Sequence, residues 1–434
     1  METIQSIYKW LDSSGDTIRH LLEYYLDHGK KMMLWGAGNR GTAFLQRFDS
    51  HAEYLSGVYD MYLAKQGVTL GTGHRVYDPG ERECDVIFVL SNGVERFARQ
   101  YISKYHRKEK IIDVTDIIFG NLSMKDMIND EVNKEDIDFS SVRAEKICGL
   151  VVMYNPEIEN FSYARQFAED LDHLVLFDNS REDSQILFEQ LDFPENTEYH
   201  WNNGENIGLG EPINRLADQM KNSDYSWIIT FDQDSLPEED MISYMRKFVN
   251  SIHCTDDIAV VSPVLVSDKQ EVQSLRNTSF PVYKHTFDIA QSGMMQRISS
   301  IHACGGYDRN LFIDSVDWEF VVRCMQHGYQ TIRLNHCFLY HQIEDSNNHE
   351  INVNGHIYHT NKYGPLRYYY QYRNALYCRA KYQGSAYEFI WDEVLNGLDH
   401  ATEFETQSEE IRKMIEQAKE DYSNRLMGKY RKHE

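Results

Sequence analysis

Two carboxylates one residue apart, Asp232 and Asp234 in FDQDS (231 to 235), are residues whose type and spacing suggest chemistry. They follow the apolar run Tyr225-Ser226-Trp227-Ile228-Ile229-Thr230. A strand ending there would put both side chains on one face, roughly 6 to 7 Å apart. Two negative charges that close repel, so the pair makes sense beside a cation. The alternative is a polar turn after a core strand, with Asp234 and Ser235 capping a helix that begins near Leu236-Pro237-Glu238. Taken alone, the stretch leaves both readings open.

The elements that must position the pair tilt the choice toward a site. Ile147 to Met153, Leu174 to Phe177, Trp227 to Phe231 and Ile258 to Val261 read as buried strands, with helical stretches such as Pro212 to Met220 between them. Strands alternating with helices predict an α/β unit with a mostly parallel sheet. Ligands in such sheets bind at the carboxyl ends of strands. Those ends are polar here: Tyr154-Asn155, Asp178-Asn179-Ser180 and Asp232-Gln233-Asp234. Three polar strand ends on one sheet edge are hard to explain as three unrelated turns.

A different pattern precedes this one. Residues 3 to 28 read as two amphipathic helices, with Ile4, Ile7, Trp10 and Leu11 on one face, then Ile18, Leu22, Tyr25 and Leu26. In KMMLWGAGNRG a short apolar strand runs into Gly36, Gly38 and Gly41, a GxGxxG spacing, and Asp60 ends the next strand, Leu55 to Tyr59, where a ribose-binding acid would stand. With further strands at Cys84 to Leu90 and Ile111 to Val114, this predicts a small Rossmann-like unit over roughly 30 to 120. The competing reading is that the glycines only permit a tight strand-to-helix turn. Residues 121 to 146 are charged and poor in core residues, as a linker would be. The expected organisation is therefore 1–120, a linker 121–146, a second α/β domain 147–380 and a helical extension 381–434.

Composition narrows the class of partner. The chain has 434 residues, and its 44 Lys plus Arg against 68 Asp plus Glu give a formal charge of −24. A nucleic-acid binder would carry a basic footprint, so none is expected. Any phosphate-bearing ligand must be neutralised locally by a metal, a basic side chain or a helix N-terminus. Seven cysteines, an odd number without a CxxC pair, do not form a disulfide framework and suit a reducing cytoplasm. The first residues lack a signal-peptide pattern and no apolar run approaches the ~18 residues of a spanning helix, so membrane contact would be peripheral, at the inner face.

VVMYNPE, LFDNS, NNGENIGLGEPIN, FDQDS, HACGGYDRNLFIDSVDWEFVVRC, FLYHQ and PLRYYYQYRNALY, in this order over roughly residues 147 to 380, resemble the family 2 glycosyltransferases of the GT-A fold, especially rhamnosyltransferase-like members. The resemblance implies a donor site lined by Asn155, Asp178, Asn206, Gly208, Gly210 and Asp232. It implies that Asp232 and Asp234 form a DxD motif holding Mg²⁺ or Mn²⁺ on the donor diphosphate, as hard oxygen ligands would, with His341 as a further ligand. Asp317 matches the base position. Gly305, Gly306, Glu319 and Arg373 match acceptor-side positions. Each has a plainer reading: turn chemistry for Asn155 and Asp178, loop shaping for the glycines, an i,i+4 pair with Arg323 for Glu319, helix caps for Asp314 and Asp317, and a structural role for the Arg373-Asn374 pair. The N-terminal WGAGNRG also resembles a Rossmann-like domain of some sugar C-methyltransferases.

The expected reaction is an inverting transfer from a nucleoside-diphosphate sugar, with rhamnose a candidate sugar, to a saccharide or lipid-linked acceptor in cell-surface polysaccharide synthesis. Such a transfer needs a proton acceptor for the attacking hydroxyl and a stabiliser for the departing charge, and no nucleophile motif. Residues 363 to 382 interleave tyrosines with basic side chains, which suits either a membrane interface or a packed helix closing the acceptor cleft. The rival function is a nucleotide-sensing regulatory protein with an inactive transferase domain. An NAD-dependent oxidoreductase is disfavoured because nothing after residue 147 reads as its catalytic half.

Overall fold

The computed structural model describes residues 4–90, 92–105, 107, 109–119, 128, 139–278, 280–341, 348–353, 356–361, 363–404 and 408–431. Most of the expected linker, 121–127 and 129–138, lies outside the described residues. The chain forms two compact units: Met1–Glu135 with Val272–Asp288, and Asp136–Glu271 with Ile289–Glu434. Among the described residues, no helix is long and apolar enough to cross a membrane.

The first unit is built on five parallel strands, β1 (Met32–Trp35), β2 (Leu55–Tyr59), β3 (Val76–Tyr77), β4 (Val86–Val89) and β5 (Lys110–Asp113), in the order β3-β2-β1-β4-β5. β1 and β4 are apolar and buried along their whole length, as strands covered on both faces must be. The helices Ile4–Asp12 and Gly15–Asp27 bury Ile7, Trp10 and Leu11, then Ile18, Leu21, Leu22 and Tyr25. Leu26, expected on that face, is 45% exposed, because the buried stripe passes through Leu21 instead. The segment Val272–Asp288, which in sequence lies within 147–380, belongs to this unit. It buries Val272, Leu275, Phe280 and Val282, and Lys284 reaches Glu95 at 2.5 Å and Asp113 and Asp116 at 3.2 Å. Burial pushes the Asp116 carboxyl well above the usual carboxylate range, with the Lys284 ammonium opposing that shift.

The second unit begins with β6 (Lys146–Met153), β7 (His173–Asp178), β8 (Thr197–Trp201), β9 (Tyr225–Asp232), β10 (Ser235–Pro237) and β11 (Ile258–Val266). After the short β12 (Tyr283–His285) of the first unit's segment, the chain returns as β13 (Met295–Arg297) and β14 (Gln330–His341). The sheet runs β10-β14-β11-β13-β9-β6-β7-β8. Its β9-β6-β7-β8 half and the β11-β14 pair are parallel, whereas β13 runs antiparallel between β9 and β11. The sheet is mostly parallel, as expected; β8, β10 and β13 are strands that apolar runs did not reveal. At the C-terminal end, the helices Pro365–Lys381, Glu388–Phe404 and Ser408–Ser423 share a core containing Tyr368, Tyr369, Tyr370 and Tyr372. These tyrosines are therefore core residues of a packed helix and do not form a membrane-facing surface.

Candidate active site

β9 carries Asp232 to the edge of the sheet as its last residue, and the chain then turns through Gln233 and Asp234. No helix starts at Leu236, contrary to the turn-and-cap reading; the chain instead forms β10, which pairs antiparallel with β14 and sets Ser235 opposite His341. This pairing brings His341 to the acidic pair across more than a hundred residues. His341 Nε2 lies 3.7 Å from Asp232 Oδ2, and Nδ1 lies 3.9 Å from Asp234 Oδ1. One ligand atom from each of the three residues falls within 4.8 Å of the others. Ser235 Oγ sits 2.9 Å from His341 Nδ1 and 2.7 Å from Ser292 Oγ, which in turn accepts the Asp232 N–H at 3.2 Å. This chain of hydroxyls fixes the imidazole ring and leaves Nε2 toward Asp232, as an outer shell does for a metal-binding histidine. Ser292 carries no motif in the sequence; only the folded chain reveals it.

Although 38% of the Asp232 side chain is open to solvent, the protein around the carboxyl desolvates it and pushes it up to about 6. His341 opposes that shift, while the charges of Asp234 and Asp317 add to it. A site crowded with like charges is one that a cation would relieve.

Asp317 is the second residue of the helix Val316–Gln326, whose cap position is Ser315, so Asp317 itself is not the cap. Its Oδ1 accepts the Trp318 N–H at 2.9 Å and its Oδ2 the Gln291 N–H at 3.2 Å. The same helix buries Phe320, Val321 and Cys324, as its pattern predicts. Glu319, in contrast, is fully buried and holds Arg323 through two contacts of 2.6 and 2.9 Å, Lys381 at 2.7 Å and the Tyr382 hydroxyl at 2.8 Å. Its acceptor-side assignment is corrected to an internal ion-pair hub. Arg373 needs the same correction: it is buried, donating to the Tyr369 hydroxyl and to the carbonyls of Leu426 and Gly428. Gly305 and Gly306 form a turn whose Gly306 and Tyr307 backbone is gripped by Arg323 and Asn214.

The donor-side candidates line the loops after β6, β7 and β8. Asn155 is exposed after β6, its N–H donated to Ser180 Oγ at 2.6 Å, which ties the β6 end to the β7 end. Asp178 is buried and accepts from the Ser180 and Ser184 N–H groups and the Tyr199 hydroxyl, so it braces its loop from within. Asn206 Oδ1 accepts the Gly208 N–H at 3.0 Å. A Cβ at Gly208, where φ is +82°, would meet the Phe312 carbonyl at 2.4 Å, and one at Gly210 would meet Tyr307 at 2.9 Å. Both glycines let this loop pack against 307 to 312.

In the first unit, a Cβ on Gly41 would stand 1.9 Å from the Gly36 carbonyl, and Gly38 caps the helix Asn39–Phe48. Asp60 accepts the Ala37 and Tyr62 N–H groups at 2.8 Å and pairs with Lys65 at 3.3 Å. Gly36, Gly38 and Gly41 thus form a tight strand-to-helix turn, which Asp60 braces through the Ala37 N–H.

In the second unit a mostly parallel sheet, with β13 and β10 running opposite to their neighbours, thus carries an acidic pair where β9 ends. In sequence the chain is similar to the dTDP-rhamnosyl transferase RfbF of Shigella flexneri, 24% identical over 243 residues, covering 53% of this chain and 78% of that one. Among solved structures it is similar to S. aureus TarS (TM-score 0.36, 13% identity, 60% of this chain and 44% of that one) and to GalNAc-T7 solved with UDP, GalNAc and Mn²⁺ (TM-score 0.39, 13% identity, 69% and 61%). The chain thus spans less than half of that TarS chain's length. No family model matches the chain.

Proposed function

We propose that the chain is an inverting glycosyltransferase that moves a sugar from a nucleoside-diphosphate donor to a hydroxyl of a saccharide or lipid-linked acceptor. One observation carries the reading: Asp232, Asp234 and His341 converge at a strand end that also feels the charge of Asp317. The likeness to RfbF makes a dTDP-sugar, with rhamnose as the sugar, the first donor to try, and cell-surface polysaccharide synthesis the setting.

The residues fit a divalent cation. Two carboxylates and one imidazole lie within 4.8 Å of one another, and ligands about 2 to 2.5 Å from a shared ion stand at such separations. Asp232, Asp234 and His341 would hold Mg²⁺ or Mn²⁺, which supplies charge neutralisation for the diphosphate. The chain's own groups do the rest. The loops after β6, β7 and β8, braced by Asp178 and Asn206, border the donor, and Asp317 takes the proton of the attacking hydroxyl. Asp317 stands in the first turn of its helix, where the N-terminal dipole favours the ionised carboxylate. Attack by the hydroxyl on the face opposite the leaving diphosphate inverts the anomeric centre.

The test is a panel of nucleotide sugars assayed for hydrolysis and transfer with and without Mn²⁺ or Mg²⁺, with the product's anomeric configuration read by NMR. Metal-dependent turnover of one donor with inversion is expected. Absence of donor hydrolysis and transfer with either metal would favour the nucleotide-sensing alternative, and retention would remove the single-displacement mechanism.

A further inference from the structure

Two consecutive residues other than glycine, Asp314 (φ +65°) and Ser315 (φ +62°), take the left-handed conformation immediately before the helix that carries Asp317. Such a pair persists only when its surroundings hold it. The Ser315 side chain makes no capping hydrogen bond, so the turn is not held from within. It is held from the helix Pro365–Lys381. There the fully buried Asn374 donates through Nδ2 to two successive carbonyls, Ile313 at 2.7 Å and Asp314 at 3.0 Å.

The orientation of the Asn374 amide is itself determined. Arg373 Nε and Nη2 face its Oδ1 at 3.4 and 3.3 Å, and an Arg donates only, so the amide nitrogen must face the carbonyls. Arg373 is in turn anchored on Tyr369, Leu426 and Gly428. On the opposite side, the Leu209 N–H donates to the Phe312 carbonyl at 3.0 Å, and the Phe312 ring stacks on Tyr370 with centroids 5.4 Å apart. The strained turn is thus gripped between the loop at Gly208 and the helix Pro365–Lys381.

We infer that Asn374 is a positioning residue: by holding the Asp314-Ser315 turn in its left-handed form, it sets where the helix Val316–Gln326 begins and so where the Asp317 carboxylate stands against the Gln291 N–H. The inference deepens the glycosyltransferase reading and rests on it for the role of Asp317, but the grip on the turn can be measured without any activity.

The experiment uses the full chain with Asn374→Ala, the near-isosteric Asn374→Asp, Ser315→Gly, and Ser315→Gly combined with Asn374→Ala. Ser315→Gly is the diagnostic change, because glycine adopts a positive φ without penalty and replaces the missing grip by intrinsic preference. Hydrogen exchange over residues 311 to 320 should speed up in both Asn374 variants and slow again in the double variant. With a donor in hand, kcat should fall about 10- to 100-fold while the donor dissociation constant stays within about twofold, since a misplacement near 1 Å costs that much in rate. The double variant should recover most of the lost kcat. Exchange unchanged in Asn374→Asp, or donor affinity and kcat lost together without rescue by Ser315→Gly, overturns the inference and leaves Asn374 as core packing. Exchange that shifts and is rescued in a protein that turns over no donor would keep the grip and instead remove the glycosyltransferase reading.

Discussion

Replacing Asp317 by Asn separates chemistry from structure at the candidate base. Asp317 Oδ1 and Oδ2 each accept one backbone N–H, from Trp318 and Gln291. The substituted amide keeps one acceptor oxygen and turns an NH₂ toward the other N–H, so one of these two hydrogen bonds is lost, about 0.5–1.5 kcal/mol of stability. The helix cap at Ser315 is untouched. The three metal-ligand candidates are likewise untouched, so metal-dependent donor binding should change little. Loss of a general base, in contrast, typically lowers the rate about 10² to 10⁴-fold, a barrier increase of about 2.7 to 5.4 kcal/mol. The assay is single-turnover transfer at saturating donor and metal, with the donor dissociation constant and the melting temperature measured on the same preparation. A rate within about threefold of the unsubstituted protein would refute the assignment and move the search to Asp314, which is half-buried and whose carboxyl is pushed up to about 6 by desolvation against the opposing charge of Arg367.

Four further outcomes are expected. Asp232→Asn with Asp234→Asn should abolish Mn²⁺- or Mg²⁺-dependent binding of the nucleotide sugar in calorimetry while leaving the melting temperature nearly unchanged, because the two side chains are 38% and 46% exposed. Gly208→Ala should destabilise the second unit by about 1–3 kcal/mol in urea unfolding, since the added Cβ meets the Phe312 carbonyl at 2.4 Å in a left-handed backbone. Lys284→Met should cost the first unit about 3–5 kcal/mol, read as faster hydrogen exchange in β4 and β5, because Glu95, Asp113 and Asp116 lose a shared buried cation. The Asp49 carboxyl, although burial alone would raise it, is held below its usual value by His74 and by the N–H groups of Leu55, Tyr54 and Glu53. A lowered folded-state value contributes stability that is complete above the unfolded value near 3.8 and is lost as pH falls through the lower folded one. Asp49→Asn should therefore lower the melting temperature at neutral pH and flatten its fall below about pH 4; parallel curves would exclude this contribution.

How much of this was legible in the sequence depends on the range over which each feature is decided. The strands β1, β2, β4, β6, β7 and β9 are runs of apolar residues whose neighbours are their own chain, and all were readable. Asp232 at a strand end and Asp317 at a helix start were readable for the same reason, since a polar residue closing an apolar run marks the edge of the sheet. β10 and β13 were not, because each is three residues long and exists only through the partners it pairs with. The fates of Glu319 and Arg373 were also undecided locally. A charged side chain reads as exposed until partners from distant elements, Lys381 and Tyr382 for one, Leu426 and Gly428 for the other, make burial tolerable.

The sequence by itself determined that there would be a parallel sheet with an acidic pair at its carboxyl edge, because alternation and run length are properties of consecutive residues. Only the tertiary structure decided that β10 would set Ser235 opposite His341 with Ser292 beside them, that Val272–Asp288 would pack with the first unit, and that Asn374 would hold the turn before Asp317. These depend on strand pairing and side-chain contact between residues tens to hundreds of positions apart, and no local pattern records which of the many possible partners the closed chain selects.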